Sequence, residues 1–242
     1  GTRIALVTDI HRGAFFSQGR VGKLVERVNS LGPDVAVLGG DYVYVNVDYE
    51  ASCFAELARL DAPLGRFAVL GNHDYGEYET GDTGGTDPTS AIKAIKDAGL
   101  TLLDNQATWV VKAGARIRIG GVADYDEGIP QLAPTIDGTS PHDFVILISH
   151  NPDIAEDLPR GAVDLVLSGH THGGQVTFFG LWAPYLPSEH GQKYRTGLVT
   201  TGSTTVIVSN GVGTIFPPIR FFARPQIVEV TLRSGPSTAL RP

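Results

Sequence analysis

Sulfur is nearly absent from this chain of 242 residues, which holds one cysteine, Cys53, and no methionine. A single thiol excludes an internal disulfide framework and a thiolate-held metal cluster. The lack of methionine, with a start almost directly on the apolar run Ile4 to Val7, leads us to expect that the natural N-terminus, carrying a leader or membrane anchor, has been cut away. A cell-envelope location is therefore favoured slightly over the cytoplasm. Long apolar runs are lacking too, and none approaches the roughly 20 residues of a membrane-spanning helix. Positive charge is in deficit, with 19 basic against 26 acidic residues and a formal net charge of -7. That balance repels nucleic acid and anionic membranes at long range unless a bound cation reverses the sign locally. Stable nucleic-acid binding is not expected. No internal repeat and no linker divides the chain, and residues 1–242 read as one domain.

What is present is an alternation. Short runs rich in valine, isoleucine and leucine are mostly followed by segments with helical spacing, the pattern of an α/β sandwich. "RIALVTDIH" precedes Val21, Leu24, Val25 and Val28, and Gly32-Pro33 stops that helix. "DVAVLGGDY" precedes a helix near Tyr49 to Leu60. "RFAVLGNHD" precedes residues 76–87, whose glycine, threonine and aspartate content reads as a mobile loop and a candidate lid. A helix near Pro88 to Ala98, a short strand at Leu100 to Leu103 and a hairpin turning at Ala113-Gly114 follow. The second half supplies "DFVILISHN", a short helix near Pro152 to Leu158, "VDLVLSGHTH", a long loop, "STTVIVSNG" and a closing "PQIVEVTL".

Five of these strands end in side chains that bind cations or protons: Asp9 and His11; Asp41; Asn72, His73 and Asp74; His150; and His170 and His172. In open α/β sheets ligands bind beyond the carboxyl ends of the strands, so residues scattered along the chain are expected to converge on one edge. Five of the seven histidines fall there, and His142 and His190 are left outside. Carboxylate, amide oxygen and imidazole together, without sulfur, suit manganese, iron or zinc. Seven donors (Asp9, His11, Asp41, Asn72, His150, His170 and His172) are too many for one tetrahedral ion. They suit two ions about 3.5–4 Å apart that share a bridging carboxylate, an arrangement that clamps a phosphoryl group and generates hydroxide near neutral pH. The chemistry implied is hydrolysis at phosphorus.

The order of these blocks resembles the calcineurin-like metallophosphoesterase family. Its D-x-H, G-D, G-N-H-D/E, lone H and G-H-x-H stand here as Asp9-Ile10-His11, Gly40-Asp41, Gly71-Asn72-His73-Asp74, His150 and Gly169-His170-Thr171-His172. "GHTHGGQ", with the later "SNGVGT" and "PPIRFFARPQI", is similar to a bacterial subgroup that includes phosphodiesterases and UDP-2,3-diacylglucosamine pyrophosphohydrolases. The resemblance implies a four-layer αββα sandwich that uses two divalent metal ions, manganese, iron or zinc, to cleave a phosphodiester or pyrophosphate bond by in-line attack of a metal-held hydroxide. It places Asp9, His11 and His172 on the first ion, Asn72, His150 and His170 on the second, and Asp41 between them. His73 would sit over the substrate as donor or general acid, kept cationic and oriented by Asp74. The alternatives are a broad-range phosphomonoesterase or protein phosphatase, and a non-catalytic scaffold.

Other residues invite weaker readings. Arg12 is a candidate phosphate fork, and Tyr42, Tyr75 and Gln175 are candidates to line the cleft for substrate, although packing explains the tyrosines nearly as well. Asp124 reads as a turn residue with a second-layer role as the alternative. Lys193, Arg195, Arg220 and Arg224 are candidate holders of a diphosphate. Residues 176–187, "VTFFGLWAPYLP", carry six large apolar side chains beyond the last ligands. Exposed, they would suit an acyl chain, a membrane surface or a partner, and with them a lipid- or nucleotide-linked substrate; burial under a loop is the favoured reading.

Overall fold

A computed structural model describes residues 1–76 and 87–233. The apolar runs form two mixed sheets. The first contains β1 (Thr2–Val7), β2 (Val35–Leu38), β3 (Gly65–Ala68) and β4 (Thr101–Leu102), all parallel, with β11 (Val228–Leu232) antiparallel on the outer side of β1. The second contains the hairpin β5 (Gln106–Lys112) and β6 (Ala115–Gly121), then β7 (Phe144–Ile148) and β8 (Leu165–Ser168). Beside them lie β10 (Thr204–Val208) and its antiparallel edge β9 (Gly197–Thr201). The hairpin turns where expected, with Ala113 and Gly114 both at positive φ, 50° and 81°, as a tight two-residue turn requires.

The central parallel strands are apolar on both faces because each face meets a different layer. Along β1, Ile4 and Leu6 enter the core between the sheets. Ala5 and Val7 face the opposite way, onto a cluster with α1 (Gln18–Ser30), α2 (Glu50–Leu57) and α3 (Thr89–Asp97). Along β7 the same period of two sends Ile146 and Ile148 inward, and Val145 and Leu147 outward onto Ile154 and Tyr194. The result is the four-layer αββα sandwich. Its layer outside the second sheet is thin: the four-residue α4 (Ala133–Ile136) and 3-10 turns at Pro152–Glu156 and Gly191–Tyr194. The helix expected near Pro152 to Leu158 is thus a 3-10 turn, opened by Asn151, whose side chain accepts from the Asp153 backbone N–H. The expected long loop hides β9, an edge strand with little apolar alternation and with Leu198 71% exposed. Of the candidate lid, residues 77–86 lie outside the described residues.

The parallel strands of both sheets deliver their carboxyl ends to one edge, and the ladder continues beyond them. Gly39 N donates to Val7 O, Asp9 N to Gly40 O, Gly169 N to His150 O and Ser209 N to Ser168 O.

Candidate metal centre

Asp9, His11, Asp41 and His172 come from three loops, are all buried, and place their ligand atoms within 4.8 Å of one another. His11 Nε2 lies 3.3 Å from Asp41 Oδ2 and 3.1 Å from His172 Nε2, and His172 Nε2 lies 3.5 Å from Asp9 Oδ1. Asp41 Oδ2 is also 3.2 Å from His150 Nε2. Beyond His150, at a ring separation of 5.0 Å, stands His170, whose Nδ1 lies 3.1 Å from Asn72 Oδ1. All seven expected donors therefore meet on one edge, with Asp41 between the two halves.

Several contacts aim these donors. His150 Nδ1 donates to Gly39 O at 2.7 Å, and this bond turns Nε2 to the cleft. Asp9 accepts from Thr8 Oγ1 at 2.6 Å and from His170 N at 3.0 Å, and Asp41 Oδ1 accepts from His73 N at 3.0 Å. Glycine is obligatory at two crossings. A Cβ at Gly169 would lie 2.0 Å from Thr8 Oγ1, and one at Gly71 would lie 2.4 Å from Asp41 Oδ1.

The donor set fits a cation. Two imidazoles and two carboxylates, all buried, bring one ligand atom each within 4.8 Å of one another, and nitrogen with carboxylate oxygen is the donor set that suits a divalent manganese, iron or zinc ion. Burial pushes the Asp41 carboxyl upward, but the imidazoles facing it, His150 foremost, outweigh burial and hold the group well below the usual carboxylate range. Burial, then His11 and Arg220, push His172 well down, so it stays neutral.

A family model, the calcineurin-like phosphoesterases, matches residues 2–174. The chain belongs to the calcineurin-like phosphoesterase family. It is 32% identical over 240 residues to the Bacillus subtilis protein YkuE, described as an uncharacterized metallophosphoesterase, covering 97% of this chain and 80% of that one. It is 29% identical over 232 residues to phosphodiesterase YaeI of Escherichia coli, covering 95% and 82%. The crystal structure of TT1561 from Thermus thermophilus shares the fold, with a TM-score of 0.54 at 13% identity, covering 87% of this chain and 89% of that one. As a family member this chain is a metal-dependent phosphoric ester hydrolase.

The structure corrects several weaker expectations. Asp74 does not orient the His73 ring: its Oδ2 accepts from Gly71 N and Asp41 N, its Oδ1 from Tyr42 N, and it ties the G-N-H-D loop to the G-D loop. Nor is His73 kept cationic. Burial outweighs the pull of Asp41 and lowers its pKa to about 3. Tyr42 leaves the cleft altogether, since its hydroxyl donates to Val69 O inside the core. Gln175 is also spent internally, accepting from Ile215 N and donating to the Ile215 and Pro217 carbonyls. Tyr75 is 6% exposed, with its hydroxyl against Gly128. Arg12 donates to Gly13 O and stacks its guanidinium 4.5 Å over the Tyr49 ring.

Three of the four candidate diphosphate holders are likewise engaged, and Arg224 is exposed. Arg220 donates to the carbonyls of Gly213, His172, Ala223 and Asn210, Arg195 to that of Gly180, and Lys193 pairs with Glu156. The aromatic loop is not buried: Phe178, Phe179, Leu181 and Tyr185 are 60–80% exposed. His142 and His190 stand exposed on the surface.

Two contributors were missed. Asp126 Oδ2 lies 3.6 Å from His170 Nε2 and accepts from Asn151 Nδ2. Its neighbour Asp124 caps the turn, as read, by accepting from Asp126 N and Glu127 N. The other is the segment 209–213: Val212 N donates to Thr8 O and Gly213 N to Asp9 O, clamping the first ligand from behind. "SNGVGT" carried that signal as a glycine-rich stretch after a strand.

Proposed function

We propose that this phosphoesterase uses two divalent ions, manganese, iron or zinc, to cleave a phosphodiester or pyrophosphate bond. The observation that carries the reading is the position of Asp41, whose Oδ2 stands 3.3 Å from His11 and 3.2 Å from His150. A carboxylate placed between two donor groups is what a shared ligand requires. Asp9, His11 and His172 would hold one ion, Asn72, His150 and His170 the other, with Asp41 common to both. When bound, the ions supply Lewis-acid charge for the phosphoryl oxygens and lower the pKa of water toward neutrality.

The chain does the rest. His73, neutral and set edge-on to His11 at 4.8 Å between ring centres, donates an N–H to a phosphoryl oxygen or the leaving oxygen instead of carrying a full charge. The carbonyl of Gly39 keeps the His150 proton off the site. Buried walls exclude bulk water and so strengthen every polar contact inside.

The test is hydrolysis of bis-p-nitrophenyl phosphate against p-nitrophenyl phosphate by metal-stripped protein titrated with manganese. Manganese-dependent turnover that favours the diester is expected. Preference for the monoester overturns the substrate class, and two bound metals without turnover on either overturn the catalytic reading.

A further inference from the structure

Ten of the fifteen exposed large apolar side chains among the described residues belong to two loops, residues 176–185 and 216–222. The loops lie side by side: Thr177 N donates to Phe221 O and Phe221 N to Gln175 O. Their rings pack together at the surface, Phe178 on Trp182, Phe179 on Phe222, and Phe221 on Phe222, with centres 4.6–5.7 Å apart. Two of these aromatics, Phe179 and Phe222, are held at left-handed φ of 52° and 57° while 77% and 53% exposed. A bulky residue in that conformation is strained, and neither ring gains burial in exchange.

Charge is arranged to match. None of the 26 acidic residues lies in 176–188 or 209–228, the stretches that carry the two loops, whereas the exposed Arg224 does. The face also adjoins the metal centre. A cleft of about 220 Å3 starts at His172 and runs between Val176, Tyr185, Pro187, Ile215, Phe216 and Pro217 to the aromatic surface.

We propose that this face docks on a phospholipid bilayer containing anionic headgroups, with the cleft as the route by which a lipid-linked phosphate ester reaches the metal site. Phe179, Leu181 and Phe222 enter the acyl boundary, Trp182 and Tyr185 take the interfacial position such rings favour, and Arg224 meets headgroup phosphate. The delivery of substrate rests on the function proposed above. The docking does not, and it is measured without turnover.

The experiment is sedimentation of the full chain with vesicles of phosphatidylcholine alone and of phosphatidylcholine with phosphatidylglycerol. A Phe179→Ser, Leu181→Ser double variant, at positions 77% and 80% exposed, should keep the wild-type circular dichroism spectrum. Wild type is expected to pellet with the anionic vesicles and less with the neutral ones. The double variant should lose about a hundredfold in binding, the scale set by withdrawing two large apolar side chains, with metal content unchanged. The proposal is overturned if wild type stays in solution with both vesicle types, or if the variant binds as wild type does. It is equally overturned if light scattering shows a wild-type dimer that the variant converts to monomer, for then a second copy covers the face.

Discussion

Replacing Asp74 by asparagine separates two roles for one carboxylate. The side chain is 2% exposed, and its oxygens accept from Gly71 N at 2.9 Å, Asp41 N at 2.8 Å and Tyr42 N at 2.9 Å. Asparagine keeps the shape but offers one oxygen. Turned toward Gly71 and Asp41, it leaves the Tyr42 N–H facing an amide NH2; turned the other way, it leaves two donors orphaned. One buried unsatisfied donor costs about 1–3 kcal/mol. For a chain of this size that lowers Tm by about 2–12 °C, and alanine should cost more because all three donors are orphaned. Metal-free protein, followed by circular dichroism, keeps ion binding out of the measurement. Metal affinity of the variant should fall as well, because two of the three donors belong to the loop that carries Asp41. An unchanged Tm with intact metal content, a reduced kcat and a shifted pH profile would refute this reasoning and restore Asp74 as the residue that orients His73.

Asp41→Asn removes the charge between the two halves of the centre and should abolish uptake of both ions, read by elemental analysis; full occupancy would sink its shared role. His73→Ala should leave metal content near wild type while turnover on the diester falls by roughly two to four powers of ten. Loss of metal in that variant would show that the ring is a ligand. Gly169→Ala forces a Cβ to 2.0 Å from Thr8 Oγ1 and 2.4 Å from Asp9 Oδ2, so it should cost about 1–3 kcal/mol and weaken metal binding. Gly19→Ala in α1, with nothing within 4 Å of the added carbon, serves as the control and should be neutral or stabilising in thermal unfolding.

The meeting of the seven candidate side chains on one edge was legible in the sequence because it depends on two local signals, an apolar run and the polar residue that ends it, and parallel sheets bring such ends together whatever the intervening chain does. The layers were legible for a similar reason: Val35 to Leu38 and Phe144 to Ile148 are apolar at every position, which only strands covered on both faces require. What escaped was set by non-local geometry. Gln175 and Arg220 look like cleft residues in sequence, yet the fold spends them on carbonyls of the 209–223 segment, whose position no local pattern encodes. Burial misled as well. Phe179 and Leu181 are residues that usually find a core, and here the short loops place them outward with the sandwich already filled.

Five of the seven donors, Asp9, His11, Asp41, His170 and His172, sit at φ between 47° and 67°. At about 1–2 kcal/mol for each non-glycine residue in that region, the centre carries on the order of 5–10 kcal/mol of backbone cost, as much as the whole net stability of an ordinary domain. Glycine would relieve it but offers no donor atom, and aspartate and histidine are among the side chains that tolerate the left-handed region best. The conformation persists because the loops are held on both sides, Asp9 N on Gly40 O and Gly213 N on Asp9 O, His11 N on Asp41 O. The side chains held this way bring their metal-binding atoms together, His11 Nε2 and His172 Nε2 at 3.1 Å and His11 Nε2 and Asp41 Oδ2 at 3.3 Å. Backbone strain and converging metal-binding atoms thus fall on the same few residues, and this coincidence is the strongest physical argument that the fold is built around a cation.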